Sequence, residues 1–145
     1  CREGTVKVDE LFGIYSFLQV HQIISTISGE LRECIGLADL IRASFPMGSM
    51  TGAPKRSVME LIEKFEKTKR GLFSGAVGYI SPEQDADFNV VIRSIQYNSS
   101  SSYLSFQTGS GITHYSDPEQ EYEECLLKAS AMKKVLESSP ALPGM

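Results

Sequence analysis

Several groups of residues in this 145-residue chain have types and spacings that chemistry could use. Glu121, Glu124 and Lys128 recur at i, i+3 and i+7, which on a helix places them within about 60° of one another. They lie beside an apolar stripe of Tyr122, Cys125, Leu126, Ala129, Met132 and Leu136, so the carboxylates stand at the edge of a core face, where they can line a cleft. The same spacing is also common on solvated helices. Arg93 stands in Asn-Val-Val-Ile-Arg-Ser-Ile (89–95), and a guanidinium inside an apolar strand needs a carboxylate, from the protein or from a ligand. Tyr79 closes Gly-Ala-Val-Gly-Tyr (75–79), where strand glycines mark close backbone approach; a tyrosine packed on a sheet face gives the same pattern. Two glycine-rich stretches lead into helix starts: Phe-Pro-Met-Gly-Ser-Met-Thr-Gly-Ala-Pro-Lys (45–55) and Gln-Thr-Gly-Ser-Gly-Ile (107–112). Small residues let a ligand approach the backbone, and helix N-termini carry free N–H groups that suit an anion. A capped turn between two helices is the plainer reading of the first stretch.

The elements that must position these groups follow from periodicity. Strands are expected at Thr5–Val8, Leu11–Phe17, Gln19–Leu31, Gly71–Ile80, Asp87–Tyr97 and Tyr103–Gln107, from their β-branched and aromatic content. A short helix is expected over Gly36–Ser44. The clearest helix runs from Pro54 to about Lys69, with Val58, Leu61, Ile62 and Phe65 on one face and Glu60–Lys64 and Glu63–Lys67 pairs outside. Thr51 is expected to cap it, with Pro54 in the first turn. The last helix starts at the Asp117 cap, with Pro118 in its first turn, and runs to about Glu137. Residues 1–137 fit one domain able to bury roughly two-thirds of its unfolded surface, and residues 138–145 read as a frayed, disordered tail.

Composition excludes several classes. A net charge of −4, with no run of Lys and Arg, argues against a nucleic-acid partner. No apolar run approaches the roughly 20 residues that span a membrane. Cys1, Cys34 and Cys125 are odd in number and form no CxxC pair, which points to free thiols and a cytoplasmic location. A start at Cys1 rather than Met fits a fragment.

Gly48 to Lys55 resembles the G-S/T-x-S/T-G-A-P-K signature of the chorismate-utilising enzymes, which include component I of anthranilate synthase and of aminodeoxychorismate synthase. The resemblance runs from about Thr5 to Leu136 and covers the C-terminal part of the family's catalytic domain. It implies an α/β fold of mainly antiparallel sheets with flanking helices, about half of a two-sheet sandwich. It also implies roles: Thr51, Tyr79, Arg93 and the amides of Gly109, Ser110 and Gly111 hold substrate carboxylates, Glu121 and Glu124 serve a magnesium site, and Lys128 lies near the substrate. Magnesium takes one or two carboxylates together with substrate oxygens and water. Two anion-binding loops and an arginine suit a dianion, and chorismate carries two carboxylates. The family's amination uses ammonia from a glutamine amidotransferase component II.

Residues 45–52 resemble the F-P-G-G-S-I/M-T-G of aminodeoxychorismate synthases more closely than the P-x-G-T-L/V-S-G of anthranilate synthases, so the former activity, on the way to para-aminobenzoate and folate, is favoured. Anthranilate synthase, and a non-catalytic chorismate-binding module, stay as alternatives. One position departs from the family. Aligned on Ser25, the family's general-acid histidine falls at Gln22, with His21 one residue earlier and on the opposite strand face. Gln22 can hold a hydroxyl but cannot supply a proton. The family's P-I-K-G-T segment, with its lysine nucleophile, would lie upstream of Cys1, so the isolated chain is expected to be inactive or nearly so and, with an exposed sheet face, to self-associate.

Overall fold

The structure is a computed structural model that describes residues 1–17 and 21–138. Its contacts divide the chain into two units, Cys1–Phe45 and Pro46–Met145, where the sequence suggests one domain. The expected mixture of antiparallel strand pairs and helices is present. Among the described residues there are three two-stranded sheets, each built from strands adjacent in sequence.

In the first unit, β1 (Lys7–Ser16) pairs antiparallel with β2 (His21–Ser28), from Lys7 opposite Ser28 to Ser16 opposite His21. The two strands expected over residues 5–17 are one strand. Its register shifts between Val8 and Gly13, where Phe12 takes φ +55° and donates its amide to Ser25 Oγ at 3.1 Å. The two shifts absorb two extra residues of β1 without ending the ladder. Helix α1 (Leu37–Ser44) follows, with Asp39 in its first turn and Arg42 in its last, each suited to the local dipole.

The second unit begins with a single turn, α2 (Gly48–Thr51), inside the stretch expected to be a loop, and then α3 (Lys55–Phe65). Thr51 does not cap α3. It ends α2, and its hydroxyl donates to the Met47 carbonyl at 3.0 Å. Pro54 is the residue before α3 rather than its first turn. Gly52 separates the two helices with φ +104°, a conformation that needs glycine, and a Cβ there would also meet Val58 at 3.3 Å. Because α3 stops at Phe65, Lys67 lies off the helix. Glu60 pairs instead with Arg56, at i,i+4 on its other side and 3.4 Å away, and Glu63 pairs with Lys69 from beyond the helix end, rather than with Lys64 and Lys67 as expected.

Strands β3 (Ala76–Ile80) and β4 (Ala86–Val90) form a hairpin, as do β5 (Ile95–Asn98) and β6 (Tyr103–Phe106). The turn at Ser81–Asp85 is closed by the Ser81 amide on the Asp85 carbonyl at 2.8 Å. A Cβ on Gly78 would stand 2.0 Å from the Asp87 carbonyl oxygen, so the close approach signalled by this glycine is made by the partner strand. Residues 71–75 form a turn rather than the start of the strand. Helix α4 (Pro118–Ser138) is capped as expected, with the Gln120 amide donating to Asp117 Oδ1 at 3.0 Å. Ser138 belongs to the helix; the rest of the expected tail lies outside the described residues.

The expectation of extensive burial fails. Among the described residues only Ala129, Met132 and Ser74 are buried, the first two on α4. The accessible surface is 12304 Å2. Folded chains of these lengths expose roughly 8,800 Å2 even when counted as two separate units. Large apolar side chains are part of it: Phe12, Ile14, Ile23 and Ile27 are all exposed on the β1–β2 pair.

Candidate active site

The second glycine loop and the acidic helix come together. Lys128 pairs with Glu124 one turn back on α4 and donates from Nζ to the Gly109 carbonyl at 3.0 Å. Glu121 lies on the same side. The hydroxyls of Ser116 and Ser110 hydrogen-bond its carboxylate and hold its pKa below the usual range, with the nearby Lys128 charge adding to the effect. Glu121, Cys125 and Lys128 are half-buried and in line with buried Ala129 and Met132, so the polar groups share the covered face of α4 rather than edging it.

The loop itself is open. No described residue accepts a hydrogen bond from the amides of Gly109, Ser110 or Gly111. A Cβ on Gly111 would meet nothing within 4 Å, and one on Gly109 only Phe73 at 3.8 Å. These glycines are not demanded by crowding within the chain, and amides left without a protein acceptor are of the kind that can take an anion. Ser116 accepts the Thr113 amide at 2.9 Å, and Gln107 donates to the Lys69 carbonyl at 3.2 Å, which fixes both ends of the loop.

The first glycine segment is anchored differently. Arg70 takes Glu66 with two nitrogens, Nε to Oε2 at 2.8 Å and Nη2 to Oε1 at 2.5 Å. The pairing lowers the Glu66 pKa and raises that of Arg70. Its Nη1 donates to the Met50 carbonyl at 3.0 Å and to Ser74 Oγ at 2.9 Å. The sequence carries the helix to about Lys69 and gives Arg70 no role; the Arg70 side chain is only 23% exposed. The missed signal is Glu66 and Arg70 at i,i+4 next to Gly71.

Tyr79 is exposed on β3 opposite Asp87, so it is not packed on a covered sheet face. Arg93 is not inside a strand. The ladder breaks between Val90 and Ile95, and Arg93 stands exposed there with φ +51° and no ion-pair partner among the described residues. The burial argument for its pairing therefore fails, and its guanidinium is free for a ligand. Gln22 lies in the first unit, exposed on β2 opposite Tyr15, while the adjacent His21 has Nδ1 2.9 Å from Ser16 Oγ.

Among the described residues no cluster of three or more His, Cys, Asp or Glu side chains could hold a metal ion by itself. Glu121 and Glu124 supply two carboxylates. That donor set fits a magnesium ion completed by substrate and water oxygens, and does not fit an all-protein cage.

Residues 1–134 match the family described as chorismate binding enzyme. The chain is 41% identical over 138 residues to aminodeoxychorismate synthase component 1 of Bacillus subtilis (strain 168), covering 95% of this chain and 29% of that protein. It is 39% identical over 142 residues to anthranilate synthase component 1 of Mycolicibacterium smegmatis, covering 98% and 27%. The crystal structure of anthranilate synthase component I from Streptococcus pneumoniae TIGR4 superposes with a TM-score of 0.76 at 30% identity, covering 88% of this chain and 29% of that one. The chain belongs to the chorismate binding enzyme family. It spans less than a third of the length of each of these three relatives.

Proposed function

We propose that this chain is the C-terminal part of a magnesium-dependent aminodeoxychorismate synthase component I, which aminates chorismate with ammonia. The observation that carries the reading is the meeting of the unpaired 109–111 amides with Lys128, Glu124 and Glu121. Family membership makes chorismate the ligand of choice. Between the two activities the relatives are nearly balanced, at 41% and 39% identity, and the form of residues 45–52 favours the aminodeoxychorismate synthase.

In this reading the loop amides and Arg93 hold the two carboxylates, with Tyr79 and Thr51 as further donors. Lys128 pairs with Glu124 and pins the loop through the Gly109 carbonyl. Glu121 stays ionised under the influence of its two serines. Glu121 and Glu124 would hold magnesium, which would supply stabilisation of the negative charge developing as the ring hydroxyl departs. Fixed amide dipoles serve the same end. The proton for that hydroxyl would come from another group or from water. The proposal includes a glutamine amidotransferase component II as ammonia source, in keeping with the component 1 naming of the relatives, and a cytoplasmic location, in keeping with three free thiols. Among the described residues no helix is long and apolar enough to cross a membrane.

The test is calorimetric titration with chorismate, with and without magnesium, followed by product analysis of the full-length protein with ammonia. Magnesium-dependent binding, weakened about tenfold in Arg93→Ala, and aminodeoxychorismate as product are expected. Anthranilate as product would move the assignment to anthranilate synthase. Binding without turnover by the full-length protein would favour a chorismate-binding module. Expressed alone, the 145-residue chain should self-associate through its exposed apolar strands, and a clean monomer at high concentration by light scattering would refute that.

A further inference from the structure

Arg70 touches none of the loop amides or carboxylates described above, yet its guanidinium makes four hydrogen bonds. Two hold Glu66, one the Met50 carbonyl and one Ser74 Oγ. The two bonds to Glu66 fix the plane of the fork, which leaves Nη1 aimed at two defined acceptors. Each acceptor belongs to a different segment. Met50 immediately precedes Thr51 in α2. Ser74 is buried, and its amide donates to the Val91 carbonyl at 2.9 Å, while the Val91 amide returns to the Gly75 carbonyl at 2.9 Å. Ser74 is thus locked to the base of the β3–β4 hairpin, whose first strand carries Tyr79 and whose exit leads to Arg93.

We propose that Arg70 is a positioning residue: by bridging the Met50 carbonyl and the Ser74 hydroxyl, it holds the Thr51 segment in register with the hairpin that bears Tyr79 and Arg93. Glu66 serves it as the second member of the clamp by setting the guanidinium plane. The consequence for substrate binding rests on the reading of Thr51, Tyr79 and Arg93 as carboxylate-holding groups. A lysine at position 70 has no fork and cannot make all four bonds from one nitrogen, so Arg70→Lys is a disruptive change here. A merely structural ion pair would contribute to stability without governing the Thr51 backbone.

The experiment uses the full-length protein with Arg70→Gln, Arg70→Lys and the milder Glu66→Gln, which keeps the guanidinium and guards against a variant that fails to fold. The first readout is amide hydrogen exchange at Thr51 and Gly52, whose N–H groups donate to the Met47 and Gly48 carbonyls at 3.1 and 2.7 Å. Exchange at both should quicken about tenfold in Arg70→Gln while the β3–β4 amides stay unchanged. The second is a KM for chorismate raised about tenfold with kcat altered less than about threefold, and no further rise when Thr51→Ala is added to Arg70→Gln. Unchanged exchange at Thr51 in all three variants overturns the proposal, as does a wild-type KM throughout. Should the wild-type protein itself fail to bind chorismate, the functional reading falls, and the exchange rates alone decide the clamp.

Discussion

Glu121→Gln is expected to lower kcat/KM for magnesium-dependent amination of chorismate by about a thousandfold in the full-length protein, with the thermal unfolding curve unchanged. The substitution keeps the shape of the side chain and its capacity to accept from a hydroxyl, and removes only the charge a metal needs. The charge is well protected in the native protein. Hydrogen bonds from Ser116 and then Ser110, together with the Lys128 charge, favour the ionised form and hold the pKa below that of an ordinary glutamate. A lowered pKa means that Glu121 stays ionised at pH values where a free glutamate takes a proton. Activity that depends on it persists until the pH falls through the lowered value. Ser116→Ala removes the largest cause, so the acid limb of the kcat/KM profile should move to higher pH while the rate at neutral pH holds. An acid limb that stays in place would separate Glu121 from the rate.

Lys128→Ala is expected to weaken magnesium-dependent chorismate binding by about a hundredfold, read by titration. One ammonium makes two contacts here, to Glu124 and to the Gly109 carbonyl. Its loss frees the glycine loop and leaves Glu124 without a counter-charge beside Glu121. Lys128→Met separates charge from packing, because it retains most of the apolar stem. Affinity as poor in Lys128→Met as in Lys128→Ala identifies the ammonium as the cause. Near-native affinity in the methionine variant would show that the stem alone matters and would remove Lys128 from the site.

The antiparallel strand pairs and helices were legible in the sequence, and the tie that joins the candidate site's groups was not. The helix spacing of Glu121, Glu124 and Lys128 and the run Gly109–Gly111 each signal an anion or metal site weakly, and the structure joins them through one hydrogen bond between residues 19 apart. No local pattern encodes that bond. Arg93 shows how an expectation can rest on the wrong argument. Its apolar neighbours read as a continuous strand, but the ladder stops at Val90, and the residue stands in the open. Thr51 is a capping residue by type, and what it satisfies is a carbonyl within its own turn. The clearest helix was found, yet its expected end ran about four residues past Phe65, because residues 66–69 read as a further turn; Glu66 instead pairs with Arg70 beyond the helix end. Burial was the least legible property: apolar periodicity says which faces want cover, not whether the chain itself supplies it.

The three hairpins also bear on the order in which this molecule comes apart. Each sheet closes between neighbours in sequence, so each forms and re-forms locally, on the microsecond scale typical of hairpins. The segments that would meet the substrate are held by a few long-range ties instead: Arg70 to Met50, Gln107 to Lys69, Lys128 to Gly109. A single hydrogen bond contributes about 1 kcal/mol net, or up to about 3 when charged. The ligand-binding loops therefore open in excursions that leave the strand ladders intact, and a bound dianion, by linking several of those segments at once, would act as the missing fastener.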